Sequence, residues 1–433
     1  MGNLLSFTKK TIKDIKLSGK TILLRADYNV PLSKDGKITD DYRIQQSLPT
    51  IKYLIDKKCR VVICAHLGRP DGRRDLKYSL QPVAKRLEKL LGKKVYFTPI
   101  TVGDVAKKAV NKLKDGQVLI LENLRFNPEE EENDKKFAKE LASLADIFVE
   151  DGFGIVHRAH ASTEGVTKYL PSVAGLLLEK EVSTIRDIID NPRHPLMAIV
   201  GGAKISDKIE ILKKFIKLAD VLVIGGAMAN TFMKAKGIDI AKSLSDTDDV
   251  PMAKEIMRLA ELEAKKRKFI FYLPQDSVVV SKVDKFAKTR IVDWDAHLIA
   301  TLENYPKRPP RSAFQLNKED IIVDIGPFSG AFIAGCMQLV NTVVWNGTMG
   351  ITETPSVDGP VGPFAHGTEL MIEALVGEFG HRPYSLIGGG DTAGYIQERG
   401  MVKYFNHVST GGGASLDLLA GKKLPGVEAL KDK

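Results

Sequence analysis

The strongest constraint on the fold of this chain is the repeated alternation of short apolar runs with segments of helical periodicity. The apolar runs are TILLRADYNV, RVVICAH, VLILENLRF and DIFVEDGF in the first half, and MAIVGG, VLVIGG, FIFYLP, TVVWNG, YSLIGGGD and HVSTGGG in the second. Continuous apolar strands that alternate with helices are typical of parallel sheets covered on both faces. Four or more such units precede residue 170 and at least five follow residue 195, which is too many for one compact sheet. The sequence therefore predicts an α/β chain with two parallel-sheet domains.

The segment SVAGLLLEKEVSTIRDIIDNPRHP lies between the two sets of strands. Its periodicity predicts one helix that ends at Asn191-Pro192, because proline cannot continue a helix. We therefore expect two doubly wound, Rossmann-like domains joined by a hinge helix. The expected boundaries are residues 1–172 for the N-terminal domain, 173–191 for the connector helix and 192–407 for the C-terminal domain.

The charge of the chain favours anionic partners. Its 433 residues include 64 Lys and Arg against 54 Asp and Glu, a formal net charge of +10. Nucleic acid, an acidic membrane surface and a small phosphorylated molecule all fit this charge. The lysine-rich stretches LEKLLGKKV and ELEAKKRKF carry interleaved carboxylates and are typical of solvated faces. No RRM, zinc-finger or homeodomain signature accompanies them, so nothing in the sequence requires a nucleic acid.

The cysteines and the apolar segments bear on the compartment. The three cysteines Cys59, Cys64 and Cys336 form no C-x-x-C pair, which argues against a disulfide framework or a structural zinc site and fits a reducing cytosol. The start MGNLLSFTKK lacks the apolar region of a secretory signal, and we attribute its match to M-G-x-x-x-[ST] to chance. Residues 325–352 contain no charged residue, but their pattern predicts a helix and a core strand and not a membrane span.

Residues that follow the predicted strands carry the functional information, because ligands of open α/β sheets bind beyond the carboxyl ends of the strands. In the first half these residues are arginine, histidine and polar side chains: Arg25, Asp27, Asn29, His66, Arg69, Arg125, His157, Arg158 and His160. In the second half they are mostly glycines: Gly201, Gly202, Gly225, Gly226, Gly388 to Gly390 and Gly411 to Gly413.

These two sets of residues suit two different anions. Arginine binds phosphate or carboxylate bidentately and keeps its charge, so several arginines at one sheet edge indicate a site for a small polyanion. Glycine turns at helix N-termini suit the phosphates of a nucleotide. Asp391 either caps a helix or holds Mg²⁺ between phosphate oxygens, and the two roles are compatible. Two such sites on two domains suggest transfer of a group between their ligands, and phosphoryl transfer needs positioning and charge neutralisation more than covalent chemistry.

The stretch MAIVGGAKISDKIEIL, residues 197–212, contains the parts of a phosphate-binding loop. A strand leads into a glycine turn, and lysine and serine stand at the start of a helix. The spacing is not G-x-x-x-x-G-K-[ST], so the Walker motif is excluded. Taken alone, the stretch fits an ordinary strand-to-helix turn equally well.

Blocks of sequence along nearly the whole chain resemble the phosphoglycerate kinase family, in the family's order. They are LLRADYNVPL, DDYRIQQSLPTI, AHLGRP, ENLRF, DGFGIVHRAHAS, GGAKISDKI, GGAMANTF, VVWNGTMG, GGGDTAG, STGGGASLDLL and LPGVEAL. The resemblance implies reversible transfer of the acyl phosphate of 1,3-bisphosphoglycerate to ADP, which gives 3-phosphoglycerate and ATP, with Mg²⁺. It also implies that segment 408–433 packs back on the N-terminal domain. We further expect a cytoplasmic monomer that requires neither nucleic acid nor a membrane.

The resemblance assigns roles to individual residues. The implied phosphoglycerate site is Asp27, Asn29, Arg43, His66, Arg69, Arg125 and Arg158. The implied nucleotide site is Lys204, Lys208, Asn346, Glu353, Gly388, Gly389, Gly390, Asp391 and Thr392, with Asp391 on the metal. Arg43, Lys204 and the backbone at Gly412 are expected to stabilise the phosphoryl group in flight. Closure of the two domains at the connector helix and the STGGGAS loop is expected to exclude water.

The chain departs from the family pattern mainly on the nucleotide side. Thr348 stands where proline is usual, Phe328 replaces a polar residue, and LPQDSVVV replaces a more acidic strand end. Residues 352–368 are longer than the family pattern, and residues 293–314 form an insertion. These departures leave the preferred base of the nucleotide open.

Two other classes of function were considered. A nicotinamide dehydrogenase would need G-x-G-x-x-G after a strand and an acidic residue further on, and the sequence lacks this arrangement. A non-catalytic relative that binds RNA or a partner through its basic face would have a decayed nucleotide site. The presence of Arg43, Lys204 and Asp391 argues against that decay.

Overall fold

Strands and helices alternate along the chain in the computed structural model, which describes residues 7–294 and 315–433. The strands are β1 Thr21–Arg25, β2 Arg60–Cys64, β3 Val95–Phe97, β4 Val118–Ile120, β5 Ile147–Glu150, β6 Ser172–Ala174, β7 Leu196–Val200, β8 Val221–Ile224, β9 Ile270–Tyr272, β10 Asp276–Val280, β11 Arg290–Asp293, β12 Ile321–Ile325, β13 Thr342–Asn346, β14 Tyr384–Gly388 and β15 His407–Val408.

The α-helices occupy most of the intervals between the strands. They are α1 Tyr42–Asp56, α2 Gln81–Leu91, α3 Asp104–Asn111, α4 Pro128–Glu131, α5 Lys135–Ala142, α6 Leu176–Asp190, α7 Ile209–Leu218, α8 Gly226–Ala235, α9 Val250–Ala264, α10 Pro327–Met337, α11 His366–Val376, α12 Gly390–Glu398, α13 Gly412–Leu419 and α14 Pro425–Glu428. The myristoylation-like match at the N-terminus and residues 295–314 of the expected insertion lie outside the described residues.

Contacts divide the chain into two compact units. The first unit comprises Met1–Asp187 and Thr410–Lys433, and the second comprises Ile188–Ser409. The sheet of the first unit has six parallel strands in the order β3-β4-β2-β1-β5-β6. Its central strand β1 is buried along its whole length, as expected for an apolar strand covered by helices on both faces.

The second unit also contains a six-stranded parallel sheet, with the order β15-β14-β13-β7-β8-β9. The predicted α/β class with two parallel sheets is therefore confirmed. A separate antiparallel sheet of β11, β10 and β12 was not predicted. The chain leaves the parallel sheet after Tyr272, and Pro274, which has no N–H to donate to a ladder, precedes the turn into β10.

The segment between the two sets of strands forms helix α6, but the helix begins at Leu176 and not at 173. Ser172–Ala174 pair with β5 as the edge strand of the first sheet. The Oδ1 atom of the buried Asp151 accepts hydrogen bonds from the N–H groups of Leu177 at 2.9 Å and Leu178 at 3.2 Å. Burial raises the pKa of Asp151 to about 7. The division between the units falls inside this helix.

The C-terminal segment joins the first unit at Thr410, two residues after the expected position, because β15 belongs to the second sheet. The amide and hydroxyl groups of Thr410 donate to Glu181 Oε1 at 2.7 and 2.8 Å. Gly426 N–H then donates to the carbonyl of Val156 at 2.9 Å. These bonds attach α13 and α14 to the unit that carries β1.

Residues 325–352 form α10 and the buried strand β13, as predicted. Within the described ranges, no helix is long and apolar enough to cross a membrane.

Removing apolar volume from the central strand should destabilise the first unit. Leu24 in β1 is fully buried, and we expect Leu24→Ala to lower the free energy of unfolding by about 2–5 kcal/mol. Urea denaturation followed by circular dichroism measures the change. Leu76→Ala is the matched control, because Leu76 is 71% exposed and its truncation should change stability by less than about 0.5 kcal/mol. Equal losses in the two variants would contradict the assignment of β1 to the core.

Candidate active site

The predicted ligand-binding residues of the first unit lie at one edge of its sheet. Asp27 and Asn29 follow β1, His66 and Arg69 follow β2, and Arg125 and Arg158 come after β4 and β5. These four strands are neighbours in the order β4-β2-β1-β5 and run parallel. Their carboxyl ends therefore bring side chains from four distant parts of the sequence to the same edge.

Arg43 is held at this edge from helix α1. Its Nη1 atom donates to Asp27 Oδ2 at 2.8 Å and to the carbonyl of Asn29 at 3.2 Å. The Asn29 side chain in turn accepts from the N–H of Gly68 at 2.9 Å, which ties the loops after β1 and β2 together. Arg43 remains partly exposed, with 29% of its side chain accessible. The remaining N–H donors of the guanidinium are thus available to an anion.

The other arginines of the set differ in their surroundings. Arg125 is buried, donates to the carbonyl of Gly68 at 2.9 Å and pairs with Glu131 at 3.1 Å. Arg158 is exposed and its Nε lies 3.4 Å from His157 Nε2. Arg69 is exposed and forms no hydrogen bond or ion pair with the described part of the chain. Two of the three guanidiniums are therefore free to turn toward a ligand.

The two buried histidines at this edge are neutral. Burial, reinforced by the charge of Arg25, lowers the pKa of His66 well below its usual value. Burial and the same cation lower the pKa of His160 to about 3. Both imidazoles therefore contribute hydrogen bonds and not positive charge at neutral pH.

A buried network of hydrogen bonds lies beneath the residues at this sheet edge. Arg25 is fully buried and its Nε donates to Ser162 Oγ at 2.8 Å. Ser162 donates from its hydroxyl to Glu130 Oε1 at 2.5 Å and from its amide to Glu130 Oε2 at 3.0 Å. The sequence pattern indicates Arg25 as a residue at the end of a strand, but it does not indicate Ser162 or Glu130. Ser162 lies 137 positions from Arg25, and no spacing in the sequence connects them.

Helix α13 begins beside the same edge. Its first residue is Gly412, and Gly411 precedes it. A Cβ atom at Gly411 would lie 2.2 Å from the ring of Phe153, and one at Gly413 would lie 3.3 Å from His157 Nε2. Glycine at position 411 therefore permits close packing that a larger residue would prevent, and the N–H groups at the start of α13 stay open to an anion.

In the second unit, two glycine turns pack backbone to backbone at the ends of β7 and β13. A Cβ atom at Gly201 would lie 2.4 Å from the carbonyl oxygen of Thr348. Gly347 has φ +103°, and its Cβ would lie 2.4 Å from the carbonyl carbon of Gly201. Neither turn has room for a side chain at these positions.

Lys208 connects these two turns. Its Nζ atom donates to the carbonyl of Gly201 at 2.6 Å and to the side-chain oxygen of Asn346 at 2.7 Å. Burial lowers the pKa of Lys208 to about 8, although Asp391 and Asp207 oppose the shift. Asn346 is buried, and within the described ranges its Nδ2 has no hydrogen-bond partner.

Lys204 has a different environment from Lys208. It is exposed, and its Nζ lies 3.6 Å from Asp246. Asp249 Oδ2 accepts from the amides of Ile205 at 2.7 Å and Ser206 at 3.0 Å, which fixes the loop that carries Lys204. Sequence reasoning missed Asp249, because no motif links it to a loop about forty residues earlier.

The GGGDT motif forms the end of β14 and the start of α12. Gly389 has φ +88°, and α12 begins at Gly390. Asp391 is exposed in the first turn of the helix. Thr392 is buried, and its hydroxyl accepts from the N–H of Gly347 at 2.8 Å. Asp391 is thus open to a ligand, whereas Thr392 fixes the turn after β13.

A cavity of about 390 Å³ lies beside these turns. Gly202 and Gly226 line it with backbone, and Leu244, Ile322 and Met349 are among its apolar lining residues. Thr348, Glu353 and Asp391 also line the cavity. Of the departures noted above, Thr348, the LPQDSVVV segment through Pro274 and Ser277, and residues 352–368 through Glu353 all contribute to this cavity. Phe328 instead lies at the start of α10, where its N–H donates to Asp276.

The predicted site residues thus fall into two groups, one in each unit. The group in the first unit includes arginines, imidazoles and a carboxamide. The group in the second unit includes backbone amides and two lysines beside an apolar cavity. This division of chemistry between two α/β units fits the class of enzymes that transfer phosphoryl groups by positioning and charge neutralisation.

Comparison with known proteins identifies the family. The sequence profile described as phosphoglycerate kinase matches residues 12–422. The phosphoglycerate kinase of Pelotomaculum thermopropionicum is 44% identical over 425 residues, covering 98% of this chain and 100% of the relative. That of Dictyoglomus turgidum is 45% identical over 428 residues, with the same coverage of each chain. The chain therefore belongs to the phosphoglycerate kinase family.

Solved structures agree with this assignment. Phosphoglycerate kinase from Coxiella burnetii is 35% identical with a TM-score of 0.78, and that from Pyrococcus horikoshii is 30% identical with a TM-score of 0.80. Each comparison covers 97% of this chain and 98% of the other.

The close approach of the two turns in the second unit should make Gly347 irreplaceable. We expect Gly347→Ala to destabilise the protein by roughly 3–5 kcal/mol, because left-handed strain adds to a clash with the Gly201 backbone. Gly359→Ala is the matched control: Gly359 has φ +82°, but no atom lies within 4 Å of its Cβ position. It should cost only the strain, about 1–2 kcal/mol. Urea unfolding of both variants tests this, and equal costs would contradict the packing described for the turns.

Proposed function

We propose that this chain transfers the acyl phosphate of 1,3-bisphosphoglycerate to ADP, reversibly, and gives 3-phosphoglycerate and ATP. The observation that carries the proposal is the set of arginines and neutral histidines from four adjacent strand ends, in a chain that belongs to the phosphoglycerate kinase family. A molecule with phosphate and carboxylate groups is the ligand that such an edge would bind best.

The first unit is proposed to bind the phosphoglycerate. Arg69, Arg125 and Arg158 supply guanidinium groups for its phosphate. Asp27 and Asn29 lie beside Arg43, where they can accept from or donate to the hydroxyl and carboxylate of the ligand. His66 supplies a neutral imidazole at the same edge.

The second unit is proposed to bind the nucleotide. The apolar cavity takes the base, and Glu353 at its lining accepts from the ribose hydroxyls. The turn Gly388, Gly389 and Gly390, with the start of α12, offers backbone N–H groups to the phosphates. Lys208, Asn346 and Thr392 hold the surrounding turns in place through the bonds given above.

Asp391 fits the role of a Mg²⁺ ligand. Mg²⁺ is usually held by one or two carboxylates together with substrate phosphates, and it keeps several waters. The exposed carboxylate of Asp391 at a helix start lined with phosphate-binding backbone meets this requirement. The ion would neutralise charge on the nucleotide phosphates when it is bound.

Three groups are proposed to stabilise the transferring phosphoryl group: the guanidinium of Arg43, the ammonium of Lys204 and the N–H at Gly412. Each is a hydrogen-bond donor near the proposed ligands, and two of them carry positive charge. Charge that develops on the equatorial oxygens in an in-line transfer is stabilised best by fixed donors of this kind.

In-line transfer requires the two ligands to meet, so we propose a hinge that closes during the reaction. Helix α6 and the loop around Thr410 are the proposed hinge, since the chain passes between the units at these two places. We further propose that the protein acts as a monomer in the cytoplasm. Light scattering of the purified protein tests the first of these statements, and fluorescent fusion imaging the second.

The function is tested by a coupled assay with 3-phosphoglycerate, Mg²⁺ and either ATP or GTP, in which a dehydrogenase consumes the acyl phosphate. Turnover with ATP is expected, and the ratio of the two rates reports how Thr348 and its neighbours shape the base cavity. Absence of turnover with either nucleotide, from folded protein, would contradict the proposal and favour a non-catalytic binding role.

Arg43→Ala should lower kcat by about 10²–10³-fold, because the guanidinium is needed mainly in the transition state. The dissociation constant for ADP should stay within about twofold, since ADP is assigned to the other unit. Steady-state kinetics and calorimetric ADP titration measure both values. Arg86→Ala is the control, because Arg86 is a half-buried arginine paired with Asp41 on the same unit. A wild-type kcat for Arg43→Ala would remove Arg43 from the mechanism.

ADP affinity should fall as pH rises through about 8, because Lys208 has its pKa lowered to about that value and is charged only below it. Lys208→Arg should abolish this part of the pH dependence, since a guanidinium stays charged. Calorimetric titrations with MgADP between about pH 7 and pH 9 make the comparison. Lys213→Arg, at an exposed lysine of α7, should keep the wild-type slope. Identical slopes for all three proteins would contradict the role of Lys208.

A further inference from the structure

The buried Arg25 lies directly beneath a ligand-facing residue and has no assigned role. Its side chain is fully buried, so it does not contact a ligand at the sheet edge. Its Nε atom donates to Ser162 Oγ at 2.8 Å, and its Nη1 atom donates to the carbonyl of Ala26. The remaining nitrogen, Nη2, lies 3.2 Å from Nδ1 of His66.

The chemistry of this contact determines the tautomer of His66. A guanidinium has only donors, so Nδ1 of His66 must be the acceptor in the bond. Burial, followed by the charges of Arg25, Arg125 and Arg43, lowers the pKa of His66 well below its usual value, which favours the neutral imidazole at neutral pH. A neutral imidazole that accepts at Nδ1 carries its one proton on Nε2.

The Nε2–H group of His66 is then a donor without a protein partner. Among the residues that the structure describes, His66 has no hydrogen bond other than the one to Arg25. His66 is 4% exposed and follows β2, between the strands that precede Asp27 and Arg125, at the sheet edge proposed to bind the phosphoglycerate.

We propose that Arg25 is a positioning residue that fixes His66 in the Nε2–H tautomer, so that the imidazole always presents a hydrogen-bond donor to the phosphoglycerate. The phosphate and carboxylate oxygens of such a ligand accept hydrogen bonds, and the other tautomer would turn a lone pair toward them. The identity of the ligand rests on the proposed function, but the tautomer itself does not.

The orientation of Arg25 is held by Ser162 and, through it, by Glu130, and Glu150 lies near the same charge. Ser162 connects the guanidinium to Glu130 through the bonds given above. Glu150, at the end of β5, adds a second buried carboxyl whose pKa is raised well above its usual value by burial, with the charge of Arg25 in opposition. Rotation of the guanidinium away from His66 would break the bond to Ser162, so the donor remains aimed at Nδ1.

The first test is the nitrogen NMR spectrum of histidine-labelled wild-type protein. The chain has eight histidines, and the His66 signals are identified by their loss in His66→Gln. We expect the shifts of an unprotonated Nδ1 and a protonated Nε2 at neutral pH. A protonated Nδ1 or an averaged pair of shifts would overturn the proposal, and this measurement needs no variant of Arg25 to fold.

The second test uses Arg25→Lys, which keeps the buried charge but has one nitrogen in place of a three-nitrogen fork. We expect the ammonium to stay with Ser162 and Glu130, so that His66 populates both tautomers. The dissociation constant for 3-phosphoglycerate should rise roughly tenfold, the loss of one hydrogen bond, while that for ADP stays unchanged. Arg60→Lys, at the opposite end of β2, is the matched control and should alter neither value.

A double-mutant cycle separates this role from a general structural one. Glutamine at position 66 offers an amide donor in place of Nε2–H and has no tautomers. In the His66→Gln background, Arg25→Lys should therefore weaken 3-phosphoglycerate binding by less than about twofold. A full tenfold loss in that background would overturn the proposal, because Arg25 would then act independently of His66.

Failure of the inference and failure of the proposed function give different results. If wild-type protein has the expected tautomer but does not bind 3-phosphoglycerate, the positioning by Arg25 stands and the substrate assignment is wrong. If 3-phosphoglycerate binds and His66 is an averaged pair of tautomers, the substrate stands and the positioning role is wrong.

Discussion

The burial of the Arg25 guanidinium is the constraint on which the basic edge of the first sheet depends. A cation with no access to water requires partners, and removing one partner of such a buried set typically costs about 3–5 kcal/mol. Ser162 Oγ and His66 Nδ1 accept hydrogen bonds from the guanidinium, and Ser162 joins it to the buried Glu130. Because these groups come from segments far apart in the chain, their pairing fixes the loops that carry the ligand-facing residues.

The same arrangement explains how several cations can coexist at one edge. Guanidiniums repel one another, and each further charge makes the next more costly unless it is compensated. The protein compensates some with carboxylates, as Asp27 does for Arg43 and Glu131 for Arg125, and keeps His66 and His160 neutral by burial. The exposed Arg69 and Arg158 are stabilised by water until an anion replaces it. The edge therefore offers many hydrogen-bond donors, although only some of its basic side chains carry a positive charge.

The two sheets, and the gathering of the residues that follow their strands at one sheet edge, could be predicted from the sequence, because apolar strands and the residues after them follow local patterns. The antiparallel sheet of β10, β11 and β12 could not, since its strands are short and the break at Pro274 resembles an ordinary strand end. The support beneath the site was also beyond sequence reasoning. Ser162 lies 137 positions from Arg25, and the lateral order of the strands, which brings them together, is not encoded in any spacing.

The two lysines of the second unit are close in sequence but differ in their surroundings, and this difference could not be predicted from their positions in the motif. Lys204 and Lys208 are one helical turn apart in sequence, yet the first is exposed with a single ion pair at 3.6 Å, and the second is tied to the turns after β7 and β13. An exposed pair of this kind is worth at most about 1 kcal/mol, so Lys204 can turn toward a phosphoryl group at little cost. Lys208 would have to give up two short hydrogen bonds to do the same. If the chain transfers a phosphoryl group as proposed, Lys204 is the lysine whose side chain is free to move toward that group, whereas Lys208 stays bound to the two turns.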